Sequence, residues 1–219
     1  MIRRHFIALG FTAFLAGLLP AAVAAQTKPV AAKAAATILV VGDSLSAEYG
    51  LKRGTGWVAL LGQRLATEKK SATVVNASIS GDTTSGGRSR LPALLTLHKP
   101  SVVVIELGGN DALRGLPLDM TQDNLQTMTR AAQASGAKVL LLGMQMPPNY
   151  GQDYGKRFAD TFANAAKANK AALVPFLLKG VADGPDALSL FQADRIHPTE
   201  QAQPTLVANV WPALNKLIP

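Results

Sequence analysis

Thr37-Ile38-Leu39-Val40-Val41 is a continuous apolar run that stops on Gly42-Asp43-Ser44-Leu45-Ser46. A run this short, apolar on successive residues and rich in β-branched side chains, suits a strand covered on both faces, as strands of parallel sheets are. Comparable runs recur at 72–75, 101–107, 138–143 and 171–176. The segments between them, 57–69, 87–98, 121–135 and 154–169, space their apolar residues as helices do, and 199–217 reads as a last helix. Strand and helix alternating in this way predict an α/β fold: a three-layer α/β/α sandwich around a mainly parallel five-stranded sheet. Ligands of such sheets sit at the carboxyl ends of the strands, so chemistry is expected where these runs stop.

The chain has 219 residues, enough for one good-sized domain, with 48% hydrophobic and 16% charged residues, a balance that excludes a disordered chain. It contains no cysteine, which removes disulfides, thiolate zinc sites, iron–sulfur clusters and cysteine nucleophiles together. With three histidines, His5, His98 and His197, a histidine-rich metal centre is not expected, and a histidine base has few candidates. The net charge of +8 is scattered in pairs such as Lys52-Arg53, Lys69-Lys70 and Lys156-Arg157, without aromatic interleaving or a nucleic-acid-binding motif. No nucleic-acid partner is expected; a solvated basic surface making at most peripheral contact with anionic lipid is.

Arg3 and Arg4 precede an apolar stretch with no charged side chain before Lys28, and small residues follow at Ala21-Ala22-Val23-Ala24-Ala25. This pattern predicts a signal peptide over 1–25, cut after Ala24 or Ala25, then a linker over 26–35 and one domain over 36–219. The product is expected in the periplasm or secreted. The alternative is a retained anchor, since 6–25 has about the length that spans a bilayer, weakened by Gly10, Gly17 and Pro20.

Four polar blocks stand where chemistry is expected. Ser44 is a nucleophile candidate, Gly42 two residues before it permitting a sharp turn; the alternative is a serine capping the next helix. Asn76-Ala77-Ser78-Ile79-Ser80-Gly81-Asp82 offers the Gly81 N–H to a ligand, while Gly87-Arg88 stands where a phosphate loop needs Lys and Ser/Thr, which rejects nucleotide binding. Gly108-Gly109-Asn110-Asp111 supplies an amide donor suited to an oxyanion, or else an ordinary turn. In Asp194-Arg195-Ile196-His197-Pro198 a carboxylate precedes an imidazole by three residues, close enough to fix its tautomer, and a serine needs such an oriented base.

These four blocks, in this order on this fold, resemble the SGNH (GDSL) hydrolase superfamily, with Ser44, Gly81, Asn110 and His197 at its four named positions. Val75-Asn76-Ala77-Ser78-Ile79-Ser80-Gly81-Asp82-Thr83, Arg90-Leu91-Pro92-Ala93-Leu94-Leu95, Glu106-Leu107-Gly108-Gly109-Asn110-Asp111, Leu113-Arg114-Gly115, Pro148-Asn149-Tyr150-Gly151 and Ile196-His197-Pro198 are similar to its periplasmic acyl-CoA thioesterase I, lysophospholipase and arylesterase group. The resemblance implies a cofactor-free, metal-free serine esterase in which Ser44 attacks the carbonyl, His197 is base then acid, and Asp194 orients His197. The oxyanion would meet the Ser44 and Gly81 N–H groups and the Asn110 side chain. Leu113, within a flap over 112–117, and Met144, Met146 and Tyr150 would line an acyl groove. The implied partner is a small acyl ester or thioester, lysophospholipid included, met by a monomer. Glu48 departs from the pattern, standing where the group commonly carries glycine. A sugar-ester deacetylase and a catalytically idle binding module on the same fold are the alternatives.

Overall fold

The computed structural model describes residues 35–219. The expected leader over 1–25, and all of the linker but Ala35, lie outside them. Five strands, β1 (Ala36–Gly42), β2 (Ala72–Asn76), β3 (Val102–Glu106), β4 (Lys138–Leu142) and β5 (Ala172–Val174), form one sheet in the order β2-β1-β3-β4-β5. Every pairing is parallel, so the sheet is wholly rather than mainly so. The central strands explain the continuous apolar runs: Ile38 to Val41 of β1 and Val102 to Ile105 of β3 are covered on both faces. Each such side chain contributes about 1.5–3 kcal/mol by leaving water. The edge strand β2 is only partly buried.

The helices are α1 (Trp57–Thr67), α2 (Thr84–His98), α3 (Gly109–Leu113), α4 (Leu118–Ala134), α5 (Gln152–Ala168) and α6 (Gln203–Leu214). α1 packs on α6, where the Arg64 guanidinium lies 4.4 Å from the Trp211 ring centroid; α2, α4 and α5 pack side by side as the other layer. Among the described residues no helix is long and apolar enough to cross a membrane.

Three differences from the sequence reading have physical causes. α2 begins at Thr84 rather than near residue 87, because the Thr83 hydroxyl accepts the Gly86 N–H and offsets poor helix formers in the first turn. The last helix is shorter than 199–217: a 3₁₀ turn, Glu200–Ala202, precedes α6. α3 was not expected at all, since five residues are too few for periodicity to register. Gly108, at φ +122°, leads into it against Phe162 Cζ, which would lie 3.0 Å from any Cβ there.

Candidate active site

The order β2-β1-β3 puts the carboxyl ends of three neighbouring strands together, at the point where the β1-to-β2 and β2-to-β3 connections run in opposite directions across the sheet. Ser44 follows β1, Gly81 lies in the loop after β2, and Asn110 belongs to α3 just past β3. Gly42 ends β1 without a left-handed φ. Its part is space rather than a turn: a Cβ would stand 2.8 Å from Ser46 Cβ and Oγ and 2.9 Å from Glu106 Oε2. The first helix after Ser44 starts at Trp57 with Gly56 as its cap, so the helix-cap alternative for Ser44 falls away.

The segment before α6 brings His197 across 153 positions, its Nε2 2.8 Å from Ser44 Oγ. On the far side Nδ1 lies 2.7 Å from Asp194 Oδ2. Asp194 Oδ1 accepts the backbone N–H groups of Ile196 at 2.9 Å and His197 at 3.0 Å. The bond from the His197 ring and these two backbone donors hold the Asp194 carboxyl down at about 2. An ionised carboxylate only accepts, so Nδ1 carries the proton, Nε2 is the acceptor, and the serine hydroxyl donates to it. The Tyr49 ring packs on the imidazole, centroids 4.3 Å apart.

Among the described residues no protein group accepts the N–H of Ser44 or of Gly81, and both residues line a cavity of about 420 Å³ with Asn110, Leu113, Met144 and His197. Gly81 takes φ +78°, and its carbonyl accepts from Arg114 Nη2 at 2.8 Å, which ties the segment expected as a flap to the Gly81 loop. Asn110 makes no ordinary turn: its Nδ2 donates to Asp43 Oδ2 at 3.0 Å. Asp111 is fully buried and accepts the Thr84 N–H at 2.9 Å, the Thr84 hydroxyl and the Thr121 hydroxyl, locking α3 against the start of α2.

A second cavity, about 460 Å³, shares Gly109, Leu113, Met144 and Ile196 with the first and continues over Met146, Phe158, Phe176 and Phe191. Tyr150, expected along this groove, lines neither cavity. It ends the 3₁₀ turn Pro148–Tyr150 and stacks on Tyr154 at the start of α5, the prolines having turned it outward. Glu48 adopts φ +59°, and its carboxylate gathers the N–H groups of Gly54 and Gly56 at 2.9–3.1 Å, so it closes the loop before α1 and forms no part of either cavity. His98 ends α2 just before β3 begins, at the opposite end of the sheet from these strand ends.

The family model of the GDSL-like lipase/acylhydrolase family matches residues 40–203. This chain belongs to that family. It is a serine hydrolase acting on ester bonds, and curated relatives align with most of its length. It is 56% identical over 185 residues to "Esterase TesA" of Pseudomonas aeruginosa, covering 84% of this chain and 90% of the relative. It is 42% identical over 173 residues to "Thioesterase 1/protease 1/lysophospholipase L1" of Escherichia coli K12, covering 79% and 80%. The crystal structure of TesA superposes with a TM-score of 0.80 at 56% identity, covering 83% of this chain and 99% of that one.

Sequence reasoning about this GDSL hydrolase missed several residues of the site. Asp43 gives no signal of its own beside the conspicuous Ser44. Glu106 carries a signal that was available, a charged residue closing a strand otherwise wholly apolar, and it is fully buried. Gln192 gave none: its Nε2 donates to Tyr49 O at 2.9 Å and to Pro198 O at 3.2 Å, a clasp that exists only once the two loops meet.

Proposed function

We propose that Ser44, His197 and Asp194 are the catalytic residues of an exported, cofactor-free hydrolase that cleaves carboxylic esters and thioesters of acyl chains through an acyl-enzyme. The observation that carries this is the unbroken chain of hydrogen bonds from Asp194 through His197 to the Ser44 hydroxyl. Ser44 Oγ attacks the carbonyl carbon as its proton passes to His197 Nε2, and the imidazolium is stabilised by the Asp194 carboxylate. The carbonyl oxygen, now an anion, meets the N–H groups of Ser44 and Gly81 and the Asn110 amide. When the tetrahedral adduct collapses, His197 returns the proton to the leaving oxygen or sulfur. Water then attacks the acyl-serine, giving its proton to His197, and the second collapse frees the acid and restores the Ser44 hydroxyl.

The apolar cavity running from Leu113 and Met144 toward Met146 supports an acyl chain as the bound part, lysophospholipids included. The leader pattern of Arg3, Arg4 and the apolar run supports export. Ser44→Ala is expected to abolish hydrolysis of 4-nitrophenyl butyrate while the protein stays folded, and a serine-directed phosphonate is expected to label Ser44 alone. Substantial turnover by folded Ser44→Ala would overturn the serine mechanism.

A further inference from the structure

Asp43 is a buried carboxylate beside the nucleophile that takes no part in the steps above. Its Oδ1 accepts the Leu45 N–H at 3.0 Å and its Oδ2 accepts Asn110 Nδ2, also at 3.0 Å. We propose that Asp43 is a positioning residue of the oxyanion hole, fixing the Asn110 amide so that its second N–H faces the carbonyl oxygen attacked by Ser44. The proposal rests on the assignment of Asn110 as an oxyanion donor.

An asparagine amide presents two donors at one end and an acceptor at the other, with similar shape either way round. Turned over, Asn110 would aim its carbonyl oxygen at the developing anion, and a donor would become a repulsive group. A carboxylate held at Oδ2 distance forbids that rotamer, because two acceptor oxygens would then face each other. With one N–H of the planar amide committed to Asp43, the direction of the other is set. A carboxylate near a growing negative charge is by itself unfavourable, so its presence calls for a compensating gain, and orientation supplies one.

Asp43 is itself held from behind. Glu106 Oε2 lies 3.4 Å from the Asp43 N–H and accepts from Ser46 Oγ at 2.7 Å, and Trp57 Nε1 donates to that hydroxyl at 3.2 Å. Two adjacent buried acids do not both ionise near neutrality. Burial pushes the Asp43 carboxyl up to about 6, and burial together with the Asp43 charge pushes Glu106 well above the ordinary range. Near neutral pH Asp43 is therefore the anion of the pair and acts toward Asn110 purely as an acceptor.

The test is a double-mutant cycle on 4-nitrophenyl butyrate. Asp43→Asn keeps the shape, yet one of its two oxygens becomes a donor, so it cannot serve both Leu45 and Asn110. It is expected to lower kcat by about 10²-fold with KM little changed, as misplacement of one catalytic group does. Asn110→Ala, which removes the donor outright, is expected to lower kcat by about 10²- to 10³-fold. In an Asn110→Ala background the same change is expected to alter kcat by less than about twofold. Independent, multiplying effects would place Asp43's action on Ser44 or His197 and overturn the proposal, as would an unchanged kcat with only a lower Tm. If Asp43→Asn does not fold, Asp43→Ser is read in the same way, and failure of both to fold would make Asp43 purely structural. If Asn110→Ala itself leaves kcat intact, the oxyanion assignment fails first.

Discussion

Asp194 shows how one side chain's environment sets both chemistry and pH dependence. Its carboxylate takes three hydrogen bonds within four residues of chain, and is about 37% exposed, so its effect is local orientation rather than deep burial. Asp194→Asn is expected to lower kcat at pH 7 by about 10²- to 10⁴-fold with little change in KM, since an amide no longer holds Nδ1 protonated. Steady-state kinetics on the folded variant check this. The same residue contributes to stability in a defined window. Its carboxyl sits at about 2 in the folded chain against 3.8 ordinarily, so the folded state binds fewer protons between those values. Its contribution is complete above about pH 4 and is lost as pH falls toward 2. Acid titration of Tm is expected to show that loss in the wild type and not in Asp194→Asn.

At the level of elements, the site depends on two loops from opposite ends of the chain being clasped together. The Gln192 side chain joins Tyr49 O to Pro198 O, its backbone N–H donates to His197 O at 2.8 Å, and Gly50, at φ +68°, leaves room for it: a Cβ there would stand 2.0 Å from Gln192 Oε1. Gln203 makes a parallel tie, its Oε1 accepting the Trp57 N–H at 3.0 Å at the start of α1. Gln192→Ala is expected to destabilise the fold by about 1–2 kcal/mol, measured by urea unfolding. It is also expected to lower kcat about tenfold, because the tie between the Tyr49 and Pro198 segments on either side of His197 is lost and small displacements of the base are costly. An unchanged kcat would show that the Asp194 bonds suffice to place the imidazole.

The whole molecule sets the acyl preference, because the groove is assembled from α3, the segment after β4, α5 and the segment before α6. Each buried methylene is worth about 0.8 kcal/mol, so kcat/KM is expected to climb several-fold per two carbons from acetyl through medium-chain 4-nitrophenyl esters until the cavity is full. Leu113→Ser, at the junction of the two cavities, is expected to flatten that climb. A maximum at acetyl with decline by four carbons would favour a sugar-ester deacetylase, whose pocket closes just beyond the methyl group.

The amino-acid sequence by itself determined the architecture and singled out the residues proposed as reacting groups. Doubly covered strands must be apolar at every position, and a mechanism of this kind needs a serine, an imidazole, a carboxylate and donors at strand ends, so both left local signatures at Ser44, Gly81, Asn110, Asp194 and His197. What only the tertiary structure decided are relations between distant residues. Glu106 meets Ser46 across 60 positions, Asn110 meets Asp43 across 67, and Gln192 meets Tyr49 across 143. It also decided that Tyr150 turns away to stack on Tyr154, and that Glu48 ties a loop instead of bordering substrate. The reason is that a hydrogen bond depends on distance and direction in space, and the chain encodes neither until the sheet has brought its strand ends together.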